Sequence, residues 1–261
     1  MYFVIIINGD TMKRVLITGA SQGLGLALAK KYASMGYSLI LISRNKERLE
    51  KLKEELLKEY RIDIDVIPYD LTKEIINFSK EILNSYSNIE VLINNAGMGI
   101  ADSILYHDPI DEEKLIDLNV KALTILSMEF AKYFKEKGYG RILNISSVGS
   151  MMPGAYISSY YASKAYVSSF TYSIHLELKQ YNVYAIAFNL PRMDTDFDLH
   201  AKRKSKLKKG KNPMVIADKI YKKMNSKKGI MNIGLSTKLM NLFSHLLPKS
   251  LISKCIGSKL R

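Results

Sequence analysis

Tyr160 and Lys164 stand four residues apart in this 261-residue chain, and Ser147 precedes the tyrosine by thirteen positions. Val167, Phe170, Ile174 and Leu178 follow at helical spacing, which predicts that the Tyr–Lys pair opens a helix. Side chains four apart on a helix share a face, with Cβ atoms about 5–6 Å from one another. A phenol and an ammonium held so form an acid–base unit, because the cation favours the phenolate and lowers the pKa of the phenol. Moving a phenol from its reference value near 10 toward 7 takes roughly 4 kcal/mol. A tyrosine shifted that far exchanges protons with a substrate oxygen at physiological pH. Ser147 closes a short apolar run, Arg141-Ile-Leu-Asn-Ile-Ser146, that reads as a buried strand, and from its end it can donate to the same oxygen. A Tyr-x-x-x-Lys pair also arises by chance on a solvated helix face, so the surrounding elements must decide.

The first of these elements is Lys13-Arg-Val-Leu-Ile-Thr-Gly19-Ala-Ser21-Gln22-Gly23-Leu24-Gly25. It runs from an apolar strand, Val15–Ile17, into a helix that begins with Ala27, Leu28 and Ala29. Three glycines there permit a tight turn and the close approach of a pyrophosphate to the amides of a helix N-terminus. A second strand, Ser38–Ile42, ends at Ser43-Arg44, eighteen residues past Gly25. An acid at that point would bind a ribose 2′-hydroxyl, whereas an arginine fork attracts a 2′-phosphate. With Ser43 and Arg44 and no acid, the chain points to NADP(H); the alternative is a surface arginine that merely caps the next helix. That helix, Lys46–Tyr60, is expected to turn Leu49, Leu52, Leu56 and Leu57 inward. Further strands are predicted at Ile64–Tyr69, at Val91-Leu-Ile-Asn-Asn95-Ala-Gly97 and at Val183–Phe188, with helices at Lys73–Tyr86 and about Asp111–Lys137.

Together these motifs resemble the classical short-chain dehydrogenases/reductases over about residues 13–195. The Gly-x-x-x-Gly-x-Gly spacing and Asn94-Asn95-Ala96-Gly97 are of that family's type. The resemblance implies Tyr160 as catalytic acid–base, Lys164 lowering its pKa and binding the ribose, and Ser147 orienting the substrate oxygen. Asn119, an asparagine inside a helix, would bind a water in a proton relay. The cofactor contacts implied are Gly19, Ser21, Gln22, Gly23, Leu24, Gly25, Ser43 and Arg44, with Asp70 and Leu71 at the adenine and Asn95, Tyr160 and Lys164 at the ribose. Asp70 or Thr72 could equally cap the helix after them. Met193 and Thr195 match the contacts beside the nicotinamide, but Leu190-Pro191 stands where the family has Pro-Gly, so a glycine is missing. The fold implied is α/β, one doubly wound Rossmann-type parallel sheet with helices on both faces and a C-terminal helical extension. The activity implied is an NADP(H)-dependent oxidoreductase interconverting a carbonyl and a secondary alcohol of a small molecule, in a homo-oligomer (dimer or tetramer). A catalytically idle NADP(H)-binding regulator or scaffold is the alternative, but such a protein has no need of all four of Ser147, Tyr160, Lys164 and Asn119.

Composition bounds the rest. The single cysteine, Cys255, excludes an intrachain disulfide and fits a reducing cytoplasm. No His, Cys and carboxylate cluster has metal-ligand spacing, so no metal is expected. Residues 1–11 are too short to span a bilayer and read as an upstream-start extension or a disordered tail before a catalytic domain at 12–235. The net charge of +14 is confined to residues 196–261, which hold 17 Lys/Arg against 3 Asp/Glu, while residues 1–195 hold 22 of each sign. A basic substrate lid is expected at about 196–212, where seven of the ten residues 202–211 are cationic, then a helix at Pro213–Met224 with Val215, Ile216, Ala217 and Ile220 inward and a strand at Ile230–Ile233. The extension at 236–261 carries Leu239, Leu242, Phe243, Leu246 and Leu247 at helical spacing, only positive charges, and a break at Pro248. It suits either packing on the core or an anionic membrane surface. It has few aromatic residues for stacking on bases, which argues against nucleic acid.

Overall fold

In the computed structural model, residues 12–195, 197, 210–246 and 248–260 are described. The proposed extension at residues 1–11 and most of the expected lid, residues 196 and 198–209, lie outside them. The chain alternates strand and helix in the order β1 (Arg14–Thr18), α1 (Gly23–Ala33), β2 (Ser38–Ser43), α2 (Lys46–Glu59), β3 (Ile64–Pro68), α3 (Ile75–Ser85) and β4 (Ile89–Asn94). It continues through α4 (Pro109–Ile116), α5 (Leu123–Lys137), β5 (Gly140–Ser147), α6 (Ser158–Leu178), β6 (Val183–Leu190), α7 (Pro213–Lys223) and β7 (Ile230–Asn232). Two final helices, α8 (Leu235–Leu246) and α9 (Lys249–Leu260), follow.

The seven strands form one parallel sheet in the order β3-β2-β1-β4-β5-β6-β7. Its strands are apolar on both faces because helices cover both. Val15, Ile17, Leu39 and Leu41 pack with Leu28 of α1, Leu49 and Leu52 of α2 and Ile216 and Ile220 of α7. The alternate residues Leu16, Ile40, Ile42 and Leu92 pack on the other face with Phe78 of α3 and Leu126, Phe130 and Phe134 of α5. That alternation is the two-residue period of a strand. The order reverses between β1 and β4, and a crevice at such a switch point, at the carboxyl ends of the strands, is where doubly wound sheets bind ligands.

Several expectations need correction. On α2, Leu57 faces solvent while Leu49, Leu52 and Leu56 are buried, and on α7 Val215 is exposed. Neither Asp70 nor Thr72 caps α3: Glu74 is its N-cap, and Asp70 Oδ1 instead accepts from the amide and hydroxyl of Thr72, 3.1 and 2.9 Å away. The helix expected over Asp111–Lys137 is three pieces, because a π-helical turn, Asp117–Ala122, separates α4 from α5. The inward face of α6 is mostly polar: Ser163, Lys164, Val167, Ser168, Thr171 and His175 are buried there, and Phe170, Ile174 and Leu178 lie off it, half-exposed.

Candidate active site

The end of β5 and the start of α6 are joined by hydrogen bonds. Ser146 Oγ donates to the Lys164 carbonyl at 3.0 Å, and Lys164 Nζ donates to the Ile145 carbonyl at 2.9 Å. Ser147, the next residue on β5, accepts from the Gly149 amide at 3.1 Å and so starts a 3-10 turn, Val148–Met151, that packs on α6. Tyr160 lies one turn before Lys164, whose Nζ is 5.8 Å from the centre of the phenol ring. Burial without a carboxylate partner among the described residues lowers the Lys164 pKa from 10.5 to about 8. The neighbouring Tyr161 turns elsewhere: a Cβ on Gly149 or Gly154 would stand 2.9 or 2.6 Å from its ring, so two glycines make room for it.

Asn119 sits in the π turn. Its Oδ1 accepts from the Met98 amide at 2.9 Å, and its Nδ2 donates to the Met98 carbonyl at 2.8 Å and to Ser163 Oγ at 3.1 Å. π turns inside α-helices recur at functional sites. This one ties the loop after β4 to α6. A Cβ on Gly97 would lie 3.2 Å from Asn119 Oδ1 and 3.5 Å from Lys164 Nζ, so Gly97 is where the asparagine and the lysine converge.

The sheet is held in register at this end by buried polar side chains. Asn94 donates to Asn144 (2.9 Å), Asn144 to Thr171 (2.9 Å), Ser168 to Asn189 (2.9 Å) and Asn189 to Asn232 (3.0 Å), crossing β4, β5, β6 and β7 and reaching into α6. Hydrogen-bonded chains of this sort favour one geometry, since breaking any link strands a further buried polar atom beside Asn94 Oδ1, which has no partner among the described residues. They account for the polar inner face of α6.

At the β1–α1 turn, Gly19 and Gly23 have φ of +65° and +56°. A Cβ on Gly25 would fall 2.1 Å from the Gly19 carbonyl oxygen, which admits no other residue. Asn95 Nδ2 donates to the carbonyls of Thr18 (2.9 Å) and Gly19 (3.2 Å) and locks this turn to β4. Gln22, the N-cap of α1, offers no side-chain cap, and the first turn carries no acid. The amides of that turn thus remain available to an external anion. Across the turn, Thr195 Cγ2 would lie 3.3 Å from a Cβ on Gly23. Met193 bridges Lys211, and Gly210 is required there because a Cβ would reach 2.2 Å from the Met193 carbonyl carbon. The two ends of the expected lid are therefore tied together. Pro191, where a glycine was missed, is buried.

Of the remaining expected contacts, Ser43 is buried at the end of β2 and Arg44 is exposed just beyond it, while Ser21 and Asp70 are half-exposed. Leu24 and Leu71 lie in the two core clusters, which leaves their backbone to any ligand. Two residues escaped the sequence reading. Arg48, in the first turn of α2, donates through Nη1 to Gln22 Oε1 in the glycine turn. Phe197 stands with its ring centre 5.1 Å from that of Tyr160, in space left by Gly99, where a Cβ would come within 2.8 Å of the phenylalanine. Neither belongs to a contiguous motif; an arginine four residues past Arg44 was the one available signal. Among the described residues, no group of three or more His, Cys, Asp or Glu could hold a metal ion, and no helix is long and apolar enough to cross a membrane.

Known proteins resemble this chain in sequence and in fold. The family described as short chain dehydrogenase matches residues 13–206. Sulfoacetaldehyde reductase 2 of Chromohalobacter salexigens is 34% identical over 187 residues, covering 71% of this chain and 74% of that protein. The fatty acyl-CoA reductase of Acinetobacter baylyi is 30% identical over 216 residues, 80% of this chain and 66% of its own. Among solved structures, a short-chain dehydrogenase from Sphingobium yanoikuyae in complex with NADPH superposes with a TM-score of 0.82 at 28% identity, covering 93% of this chain and 96% of that one.

Proposed function

The chain belongs to the short-chain dehydrogenase family of oxidoreductases, and on that premise we propose that it interconverts a carbonyl and a secondary alcohol with NADP(H). The observation that carries the reading is the buried Lys164 ammonium, 5.8 Å from the ring centre of Tyr160 and bonded to the strand that ends in Ser147. When bound, the cofactor supplies or accepts the hydride. The rest falls to the chain. Tyr160 gives its hydroxyl proton to the carbonyl oxygen in reduction and takes it back in oxidation. Ser147 Oγ donates to that same oxygen and fixes its direction. Lys164, still largely protonated below pH 8, stabilises the phenolate left on Tyr160. Asn119, Asn95 and Gly97 hold the floor on which the tyrosine and lysine meet. Phe197 covers the tyrosine and keeps water from the proton transfer.

The glycine turn, the uncapped first turn of α1 and Thr195 fit a pyrophosphate-bearing cofactor, with Asp70 and Leu71 at its adenine and Met193 beside its nicotinamide. Arg44 favours the 2′-phosphate form, and Arg48, reaching the same turn from α2, adds a second cation. A catalytically idle cofactor-binding protein would still use Lys164 at the ribose but has no need of Ser147, Tyr160 and Asn119 together with it. Self-association is part of the proposal: Met128 on α5 and Tyr166, Tyr172 and Leu176 on α6 are exposed, and Met128, Phe170, Ile174 and Leu178 line a shallow cavity of about 160 Å³ between the two helices. The test is a panel of aldehydes and ketones, from small polar to long-chain, assayed with NADPH. Turnover by the natural protein that is lost in Tyr160→Phe supports the reading. Failure with every carbonyl and alcohol, despite tight NADPH binding, would favour the idle protein.

A further inference from the structure

Helix α8 is amphipathic in the wrong sense for a packed helix. Leu235, Leu239, Leu242, Phe243 and Leu246 recur at a helical period along one stripe, and that stripe faces outward: Leu235 is 73% exposed, Leu242 55% and Leu246 67%. The opposite face, Thr237, Asn241 and Ser244, turns inward, with Thr237 fully buried and its hydroxyl unpaired among the described residues. Folding on its own would bury the leucines and expose the threonine, since each apolar side chain withdrawn from water contributes about 1.5–3 kcal/mol. The helix is seated for an environment outside the chain.

Charge selects that environment. Asp218 is the last acid in the sequence, and the 43 residues after it carry ten Lys/Arg and no acid. Lys238 on α8 and Lys249 and Lys254 on α9 are exposed. An outward apolar stripe in a segment whose only charges are cations matches an interface whose surface is anionic and whose interior is hydrocarbon. We propose that α8 and α9 dock the protein on an anionic lipid bilayer, with Leu235, Leu239, Leu242, Phe243 and Leu246 inserted and the lysines at the headgroups. Leu247, once grouped with them, lies outside the described residues. The docked helices border the cleft. α8 packs on the Val148–Met151 turn that follows Ser147, and a Cβ on Gly257 of α9 would lie 3.1 Å from Ala155 and 3.5 Å from Tyr156, in the loop leading to Tyr160.

The docking proposal does not depend on the oxidoreductase reading, because its readout is lipid binding. Truncation would remove the buried Thr237 and Ile252, so substitution is the better probe. Sedimentation of the full chain is measured with phosphatidylcholine vesicles and with vesicles of equal parts phosphatidylcholine and phosphatidylglycerol, at low and high salt. We expect binding to the anionic vesicles alone, weakened but not abolished by salt, because insertion is not screened. The Leu242→Ser/Phe243→Ser/Leu246→Ser variant, altered only at exposed positions, should keep its melting temperature and lose vesicle partitioning by about tenfold or more. Light scattering on both proteins provides the second measurement. A natural protein that ignores anionic vesicles, or a variant that binds them unchanged, overturns the proposal. So does a fall in oligomer mass in the variant without any lipid binding by the natural chain, which would assign the stripe to a second copy.

Discussion

Lys164 Nζ donates to the backbone carbonyl of Ile145 at 2.9 Å from a position so buried that its pKa falls to about 8. Unfolding returns the ammonium to its ordinary value of 10.5, so between pH 8 and 10.5 the unfolded chain binds more protons than the folded one. Stability of the cofactor-free protein therefore rises with pH through that window, and the penalty for burying the charge is fully present below it. The difference in pKa corresponds to ~3 kcal/mol. Lys164→Met keeps the stem and removes the charge, so this rise should vanish from its urea melts. Subtracting variant from natural protein cancels the tyrosines, among them Tyr37, whose pKa burial pushes up to about 12 with the opposite effect on stability at high pH. Parallel pH profiles for the two proteins would show that Lys164 titrates as in water.

Tyr160 and Tyr161 should separate cleanly. Tyr160→Phe removes the proton donor and is expected to cut turnover by about 10²–10⁴-fold or more, with NADPH affinity, read by fluorescence titration, nearly unchanged. Tyr161→Phe keeps the ring that fills the space at Gly149 and Gly154 and should be mild. Tyr161→Ala leaves that space empty and should cost stability, though less than the ~3–5 kcal/mol of a fully buried aromatic, because Tyr161 is half-exposed. The reverse kinetic pattern would put the acid one residue later.

Local chemistry explains which features could be read in advance. The glycine turn, the Tyr–Lys pair and Ser147 are each contiguous or set by one helical turn, so their types and spacing carried them onto the right strands and helices. The polar inner face of α6 was not legible, because Ser163, Ser168 and Thr171 are satisfied by Asn119, Asn189 and Asn144 from other elements. The helical period that marks this segment runs through Phe170, Ile174 and Leu178, an apolar stripe that borders an outer cavity. Leu57 and Val215 failed for the same reason: each is a second apolar neighbour on a stripe whose width only packing defines. Phe197 and Arg48 reach the site through contacts across 37 and 26 residues, to Tyr160 and Gln22, which no local pattern records.

Gly25 and Gly36 offer a matched pair for the glycine argument. A methyl group on Gly25 would overlap the Gly19 carbonyl at 2.1 Å, whereas Gly36, with φ of +78°, has open space around it. Gly36→Ala should cost only the left-handed backbone strain, about 1–2 kcal/mol. Gly25→Ala must displace the β1–α1 turn and should both lower the melting temperature further and abolish NADPH binding. Equal effects in thermal melts and cofactor titrations would mean that the turn is looser than its contacts imply.

Cofactor choice should depend on two arginines. Arg44 is exposed at the end of β2, and Arg48 is held in the first turn of α2, where Asn45 Oδ1 caps its amide at 2.8 Å while its guanidinium donates to Gln22. A 2′-phosphate offers each a charge-assisted bond worth about 1.5–3 kcal/mol, or roughly ten- to a hundredfold in affinity. Arg44→Ala should therefore weaken NADPH by about that factor and leave NADH unchanged. Arg48→Ala should have a smaller effect, since Arg48 must give up Gln22 to reach the phosphate. Gln22→Leu removes that competing partner and should leave NADPH affinity equal or higher. In the double variant the two cofactors should bind alike. These affinities are measured by nucleotide fluorescence at fixed salt, because screening alone shifts them. Equal affinities in the natural protein would remove the 2′-phosphate from the site, and a preference that survives the double variant would locate its recognition on other residues.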